Sequence, residues 1–169
     1  MGVVQRFGKI YTFDNDPEVR ELHLLIDLAA VLQIDKVEAF GIAFHPHFSS
    51  NGEFYVHHRR NDAELPTRVS RFRVLPDDRW RVDPTSELLL ISWPGGHDGG
   101  CLDFGADGYL YISNGDQGGP ADRTGVGQRL DDLQASILRI DVDGGTTQQP
   151  YRIPADNPFV GLDGVRRTG

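Results

Sequence analysis

Cysteine is almost missing. Cys101 is the single one in 169 residues, so no intrachain disulfide staples this fold. One cysteine leaves the redox compartment open. Long apolar runs are missing too, and none approaches the length that a membrane span needs. The opening stretch MGVVQRFGKI has no apolar core of the kind a secretion signal carries, so export of the chain as written is not expected. Positive charge is scarce: 17 Lys+Arg stand against 25 Asp+Glu, a formal net charge of −8. That balance excludes nucleic acids and anionic membranes as expected partners, since both need basic patches.

Turn formers are abundant. Twenty glycines and ten prolines favour short strands and many turns over long helices. Residues 1–14 alternate apolar and polar around Gly8-Lys9 and predict a hairpin, closed by the turn cluster Asp14-Asn15-Asp16-Pro17. Residues 18–33 read two ways. Asp16-Pro17-Glu18 is a helix start, and Leu22, Leu25, Ile26 and Ala29 fit one helical face. Leu24-Leu25-Ile26 fits a buried strand equally well. Residues 41–58 predict strand, turn and strand, with Pro46 and Asn51-Gly52 in the turn. A charged loop at 59–68, a strand at 69–75, a loop at 77–87 and a strand at 88–92 follow. Residues 120–136 predict a long polar loop ending in a short helical piece. A strand at 137–142 turns at Asp143-Gly144-Gly145. Residues 150–161 are extended, with proline at three positions, and the chain closes at Arg166-Arg167-Thr168-Gly169 with no further strand.

A repeat underlies this order. Phe44 followed by Gly52-Glu53-Phe54-Tyr55-Val56 recurs as Phe104 followed by Gly108-Tyr109-Leu110-Tyr111-Ile112. A second element recurs at 10–14, 70–74 and 138–141. The offsets, about 56 to 67 residues, suit a propeller blade of four strands plus loops. Hairpins of any β protein resemble one another, but two elements recurring in one order favour the repeat.

The stretch 95–119, GGHDGGCLDFGADGYLYISNGDQGG, carries the chemistry. His97 sits among Gly95, Gly96, Gly99 and Gly100, and a second cluster, Gly115, Gly118 and Gly119, frames Asp116 and Gln117. Two antiparallel strands joined by the turn at 105–108 bring the start of the first beside the end of the second. His97 and Asp116 are therefore expected side by side at one rim, an imidazole with an acid to orient it. The glycines are expected to keep that rim open for a flat ligand.

These residues resemble the glucose/sorbosone dehydrogenase family, soluble sugar dehydrogenases that use pyrroloquinoline quinone (PQQ). The matching places are His97-Asp98-Gly99-Gly100, Phe104-Gly105-Ala106-Asp107-Gly108 and Gly115-Asp116. GIAFHPHF at 41–48, NGEFYV at 51–56 and IPADNPF at 153–159 match as well. Ala106 stands where proline is usual, Ala135 where the family has glycine, and the Gln before the family's GLLG has no clear match around Lys36. The resemblance implies an all-β fold: a partial β-propeller, about three blades of a six-bladed ring, with residues 1–169 a single incomplete domain cut at both ends. It favours a strand near 22–27 followed by a helical turn. It implies oxidation of an aldose sugar or related alcohol, with hydride passing to PQQ, His97 as general base and Asp116 as its orienter. Asp98 stands where the family varies and is a candidate substrate contact. Calcium and PQQ are the implied cofactors, with most of their ligands outside this chain, and the implied setting is periplasmic or secreted. Open blade faces predict weak stability or self-association of the isolated chain. The rival readings are a non-catalytic interaction propeller, as in the hedgehog-interacting relatives of this domain, and a calcium-dependent lactonase-like propeller.

Other candidates read blandly. His57 and His58 point to opposite faces of a strand, so with His45 and His47 they make no expected zinc site. Asp141-Val142-Asp143-Gly144 lacks the downstream Glu of a calcium loop and reads as a strand-end turn. Cys101 is expected in the core, and Trp80 and Trp93 are expected as packing anchors between blades.

Overall fold

The computed structural model describes residues 1–165; the closing residues 166–169 lie outside it. Three antiparallel sheets follow one another along the chain. The first joins β1 (Gly2–Val4), β2 (Lys9–Thr12) and β3 (His23–Asp27). Helix α1 (Leu28–Leu32) is a single turn, capped by the Asp27 carboxylate and ended by Gln33 in the left-handed region. This resolves the ambiguity at 18–33 as the family resemblance implied: strand, then helical turn.

The second sheet is the central one. β4 (Val37–Phe44), β5 (Glu53–Arg60) and β6 (Thr67–Leu75) pair in sequence. Helix α2 (Phe48–Asn51) fills the β4–β5 turn and ends on Gly52 at φ +65. Two strands share the far edge of β6: β8 (Leu88–Trp93) takes its first half and β7 (Asp78–Val82) its tip. β7 corrects the expected loop at 77–87. Trp80 stacks on His23 at 4.2 Å, so this strand is fixed by the first sheet and not by its own polar sequence. The third sheet joins β9 (Leu102–Phe104), β10 (Leu110–Ser113) and β11 (Ile137–Ile140). In 120–136 the helical pieces come early, as two 3-10 turns at Pro120–Asp122 and Val126–Gln128, correcting the expected piece at the end of that loop.

The repeat is real in register. Phe44 pairs Phe54 across β4–β5, and Phe104 pairs Leu110 across β9–β10. The chain thus forms three consecutive blade-like sheets, a partial β-propeller.

β5 explains how the sheets hold together. Its six residues from Glu53 to His58 are all buried, because both faces of the central sheet are covered. Phe54 and Val56 enter a core shared with Ile10, Leu25 and Ile26 of the first sheet. Tyr55 enters a second core with Trp93, Leu102, Leu110 and Ile112, toward the third. The outer sheets lack such covers. The exposed large apolar side chains fall almost wholly on them and their flanking loops: Val3, Phe7, Leu22 and Leu24 at one end, Leu130, Ile137, Phe159 and Val160 at the other. A cavity of about 630 Å³ opens along the free edge of β11, against Phe159 and Val160.

Candidate functional site

The loop 94–101 leaves the second sheet at Trp93 and enters the third at Leu102. It carries His97 across the seam between them. A second loop, leaving β10 at Ser113, brings Asp116 to the same place. The His97 backbone N–H donates to the Asp116 carbonyl at 2.9 Å, and His97 Nδ1 is in direct hydrogen-bond contact with Asp116 Oδ1. The expected juxtaposition is therefore present. A carboxylate only accepts, so in the neutral ring the proton lies on Nδ1 and the lone pair on Nε2. Nε2 has no partner among the described residues, and the side chain is 61% exposed. A hydrogen bond from the Gly118 N–H (3.0 Å), joined by the His97 contact, holds the Asp116 carboxyl below its ordinary range. It stays ionised at neutral pH.

Three of the glycines act differently from expectation. A Cβ on Gly100 would lie 1.8 Å from the Ser113 carbonyl oxygen, and one on Gly96 would lie 2.5 Å from that of Asp116. A Cβ on Gly115 would lie 2.5 Å from the His97 carbonyl oxygen. They let two backbones touch; they do not hold space open for a ligand.

Asp98 faces the other way from His97. Its side chain is 6% exposed and accepts from Arg59 Nη1 at 2.6 Å, from the Thr67 hydroxyl and from the Gly96 N–H at 3.3 Å. The carboxylate expected to meet substrate is spent inside the protein. Arg59, Thr67 and Gln134, whose amide donates to the Pro94 carbonyl at 3.1 Å, all hold this loop, and sequence reading passed over them. Arg59 and Asp98 are 39 positions apart, and no local pattern marks such a pair.

The remaining candidates separate cleanly. Cys101 is exposed, which corrects the expected core position: it sits on the loop before β9, where its N–H donates to Ser113 Oγ. Trp93 is 1% exposed and packs as an anchor, and half-buried Trp80 bridges the first two sheets. His57 and His58 are fully buried on opposite faces of β5. Burial pushes their pKa down, to about 4 and about 3, and they stay neutral. His45 lies at the far end of the same seam, bonded to Asp143. Among the described residues no group of three or more His, Cys, Asp or Glu is placed to hold a metal ion. No helix there is long and apolar enough to cross a membrane.

The sequence profile of the glucose/sorbosone dehydrogenase family matches residues 1–168. The chain belongs to that family. Its relatives include the mouse Hedgehog-interacting protein, 30% identical over 148 residues, covering 82% of this chain and 21% of the relative. The Arabidopsis thaliana HIPL2 protein is 25% identical, covering 85% of this chain and 28% of its own. Among solved structures, an oxidoreductase (glucose dehydrogenase) of Thermus thermophilus matches with TM-score 0.70 and 27% identity, covering 98% of this chain and 46% of its own. The PQQ-bound aldose sugar dehydrogenase of Streptomyces coelicolor matches with TM-score 0.69 at 22% identity, a likeness of fold, covering 97% and 45%. The chain thus spans 21% to 28% of these curated relatives and under half of these structures.

Proposed function

We propose that this chain supplies the proton-accepting rim of a PQQ-dependent sugar or alcohol dehydrogenase whose ring is completed outside it. One observation carries the reading: Asp116 occupies Nδ1 of His97, leaving the Nε2 lone pair on an exposed side chain. An imidazole so held can take the proton of a substrate hydroxyl. PQQ, when bound, supplies the hydride acceptor, so the alcohol carbon becomes a carbonyl. His97 takes the proton, Asp116 fixes the tautomer and balances the charge that forms, and Asp98 serves the loop instead of the substrate.

The described residues fit the proton-transfer half of this chemistry and not the grip on the cofactor. They hold no acid cluster for calcium, and Arg59, a cation beside the site, is committed to Asp98. Most calcium ligands and most cations for the PQQ carboxylates would come from the rest of the ring. The apolar groups exposed on the two outer sheets are where that ring continues, and alone they favour weak stability or self-association of the chain. A periplasmic or secreted setting accords with the family.

The test is titration of the chain, and of its extended reading frame, with PQQ and calcium. Sugar-dependent dye reduction is followed in each. The extended protein is expected to bind PQQ and reduce dye, while the chain alone is inactive. Folded extended protein that binds neither PQQ nor sugar would instead support an interaction propeller, a reading that the similarity to the Hedgehog-interacting protein favours. Metal-dependent ester hydrolysis without PQQ would support the lactonase-like alternative.

A further inference from the structure

His97 is gripped from both sides of the seam, and only one grip is explained by its chemistry. On the third sheet, Asp116 holds the ring and the backbone. On the second sheet the loop is held through its neighbour. Arg59 is the last residue but one of β5, Thr67 begins β6, and the two are register partners across that hairpin. Asp98 spans both, with one carboxylate oxygen on each. Thr67 also pairs Trp93, the last residue before the loop. A Cβ on Gly95 would lie 3.1 Å from Pro66 and 3.4 Å from the Arg59 guanidinium, so the loop rests directly on this corner.

The charges show why a carboxylate is needed here. Arg59 is one-third exposed and lies beside fully buried His57, which burial keeps neutral. Arg59 is therefore the cation that balances Asp98. Asp98 is thus turned to the second sheet, and the His97 ring is held by the Asp116 carboxylate. A neutral residue at 98 would leave the guanidinium unpaired and the loop without its seat.

We propose that Asp98 is a positioning residue: docked on Arg59 and Thr67 of the second sheet, it latches the loop so that the His97 ring meets Asp116 of the third. Its functional meaning rests on reading His97 as the proton acceptor, whereas its geometry does not. A misplacement of about 1 Å in such a ring can cost about a hundredfold in rate.

The test reads the ring itself. The chain is labelled with 15N-histidine, and the ring nitrogen shifts and the exchange of the Nδ1 proton are followed for His97, with His45 at the far end of the seam as an internal control of folding. In the wild type the Nδ1 proton is expected to be protected by Asp116. Asp98→Asn is expected to speed its exchange at least about tenfold and to move the His97 ring signals, with those of His45 unchanged. Thr67→Val is expected to do the same more weakly, and Thr67→Ser, which keeps the hydroxyl, to restore the wild-type signals. If Asp98→Asn also collapses the His45 signals, the Thr67 pair decides: loosening by valine with retention by serine supports the latch, and identical His97 signals in the two overturn it. Unchanged His97 signals in Asp98→Asn with an intact fold overturn it outright. A latch that behaves as expected in a protein that binds no PQQ would sink the dehydrogenase reading and leave the positioning role standing.

Discussion

Two histidines stand at opposite ends of one seam, each against an aspartate, and they differ in what is left over. His45 is 3% exposed. Its Nδ1 accepts from the His47 N–H at 3.0 Å and from the Asn51 amide at 2.9 Å, and its Nε2 therefore donates to Asp143 at 3.1 Å. Every valence of that ring is used to tie the β4–α2 turn to the end of the third sheet. His97 is held through Nδ1 alone and shows its other nitrogen to solvent. The same pair of residue types closes every valence at one end and leaves a nitrogen open at the other. The lesson is that a His–Asp contact says little about chemistry until the second nitrogen is followed.

Breaking the His97 end of the seam should have the largest effect on folding. Gly100→Ala would set a Cβ 1.8 Å from the Ser113 carbonyl oxygen at a backbone φ of +144. A loss of about 4 kcal/mol or more is expected by denaturant titration, as for other severe packing clashes. A variant within about 0.5 kcal/mol of wild type would show that the two loops are not in contact.

Acid should act on the strand that joins the two cores. His57 has its folded pKa lowered to about 4, chiefly by burial, against an ordinary value of 6.5. Between those values the unfolded chain binds a proton that the folded chain refuses. Stability is therefore full above about pH 6.5 and falls as the pH drops toward 4, by about 3 kcal/mol for this one group. His58 acts in the same direction. Melting temperature followed against pH should show the decline, and His57→Leu should flatten part of it.

The His45 end should yield less. His45→Ala leaves the Asn51 amide without that acceptor and opens a small void, for an expected loss of about 2 kcal/mol. The ring signals of His97 should not move. Smallest, and of opposite sign, is Ala135→Gly. Ala135 sits at φ +53 and donates its N–H to the Gly115 carbonyl beside the site. Relief of left-handed strain should raise stability by about 1 kcal/mol in the same titration.

Much of this was legible in the sequence, for physical reasons. Hairpin periodicity and turn chemistry place β4–β5 and β9–β10, and the antiparallel rule then forces His97 and Asp116 to one rim. Ala135 was visible as a departure from glycine, and its positive φ supplies the reason that glycine is usual there. What stayed hidden depends on contacts between sheets. β7 exists because Trp80 finds His23, and Asp98 is buried because Arg59 and Thr67 wait on another sheet. Gly96, Gly100 and Gly115 looked like cleared space, and only the packed backbones reveal that they are points of contact.

The central claim is that the open nitrogen makes His97 the acting histidine. It is tested most directly by single-turnover reduction of PQQ by sugar in the complete protein, loaded with PQQ and calcium, comparing His97→Ala with His45→Ala. His97→Ala is expected to slow that step by about 10²–10⁴ with PQQ affinity retained, and Asp116→Asn by less. His45→Ala is expected to leave the rate within about threefold of wild type while lowering the melting temperature. A His97→Ala protein that reduces PQQ at the wild-type rate, or a His45→Ala protein that is folded yet equally slow, would contradict the account.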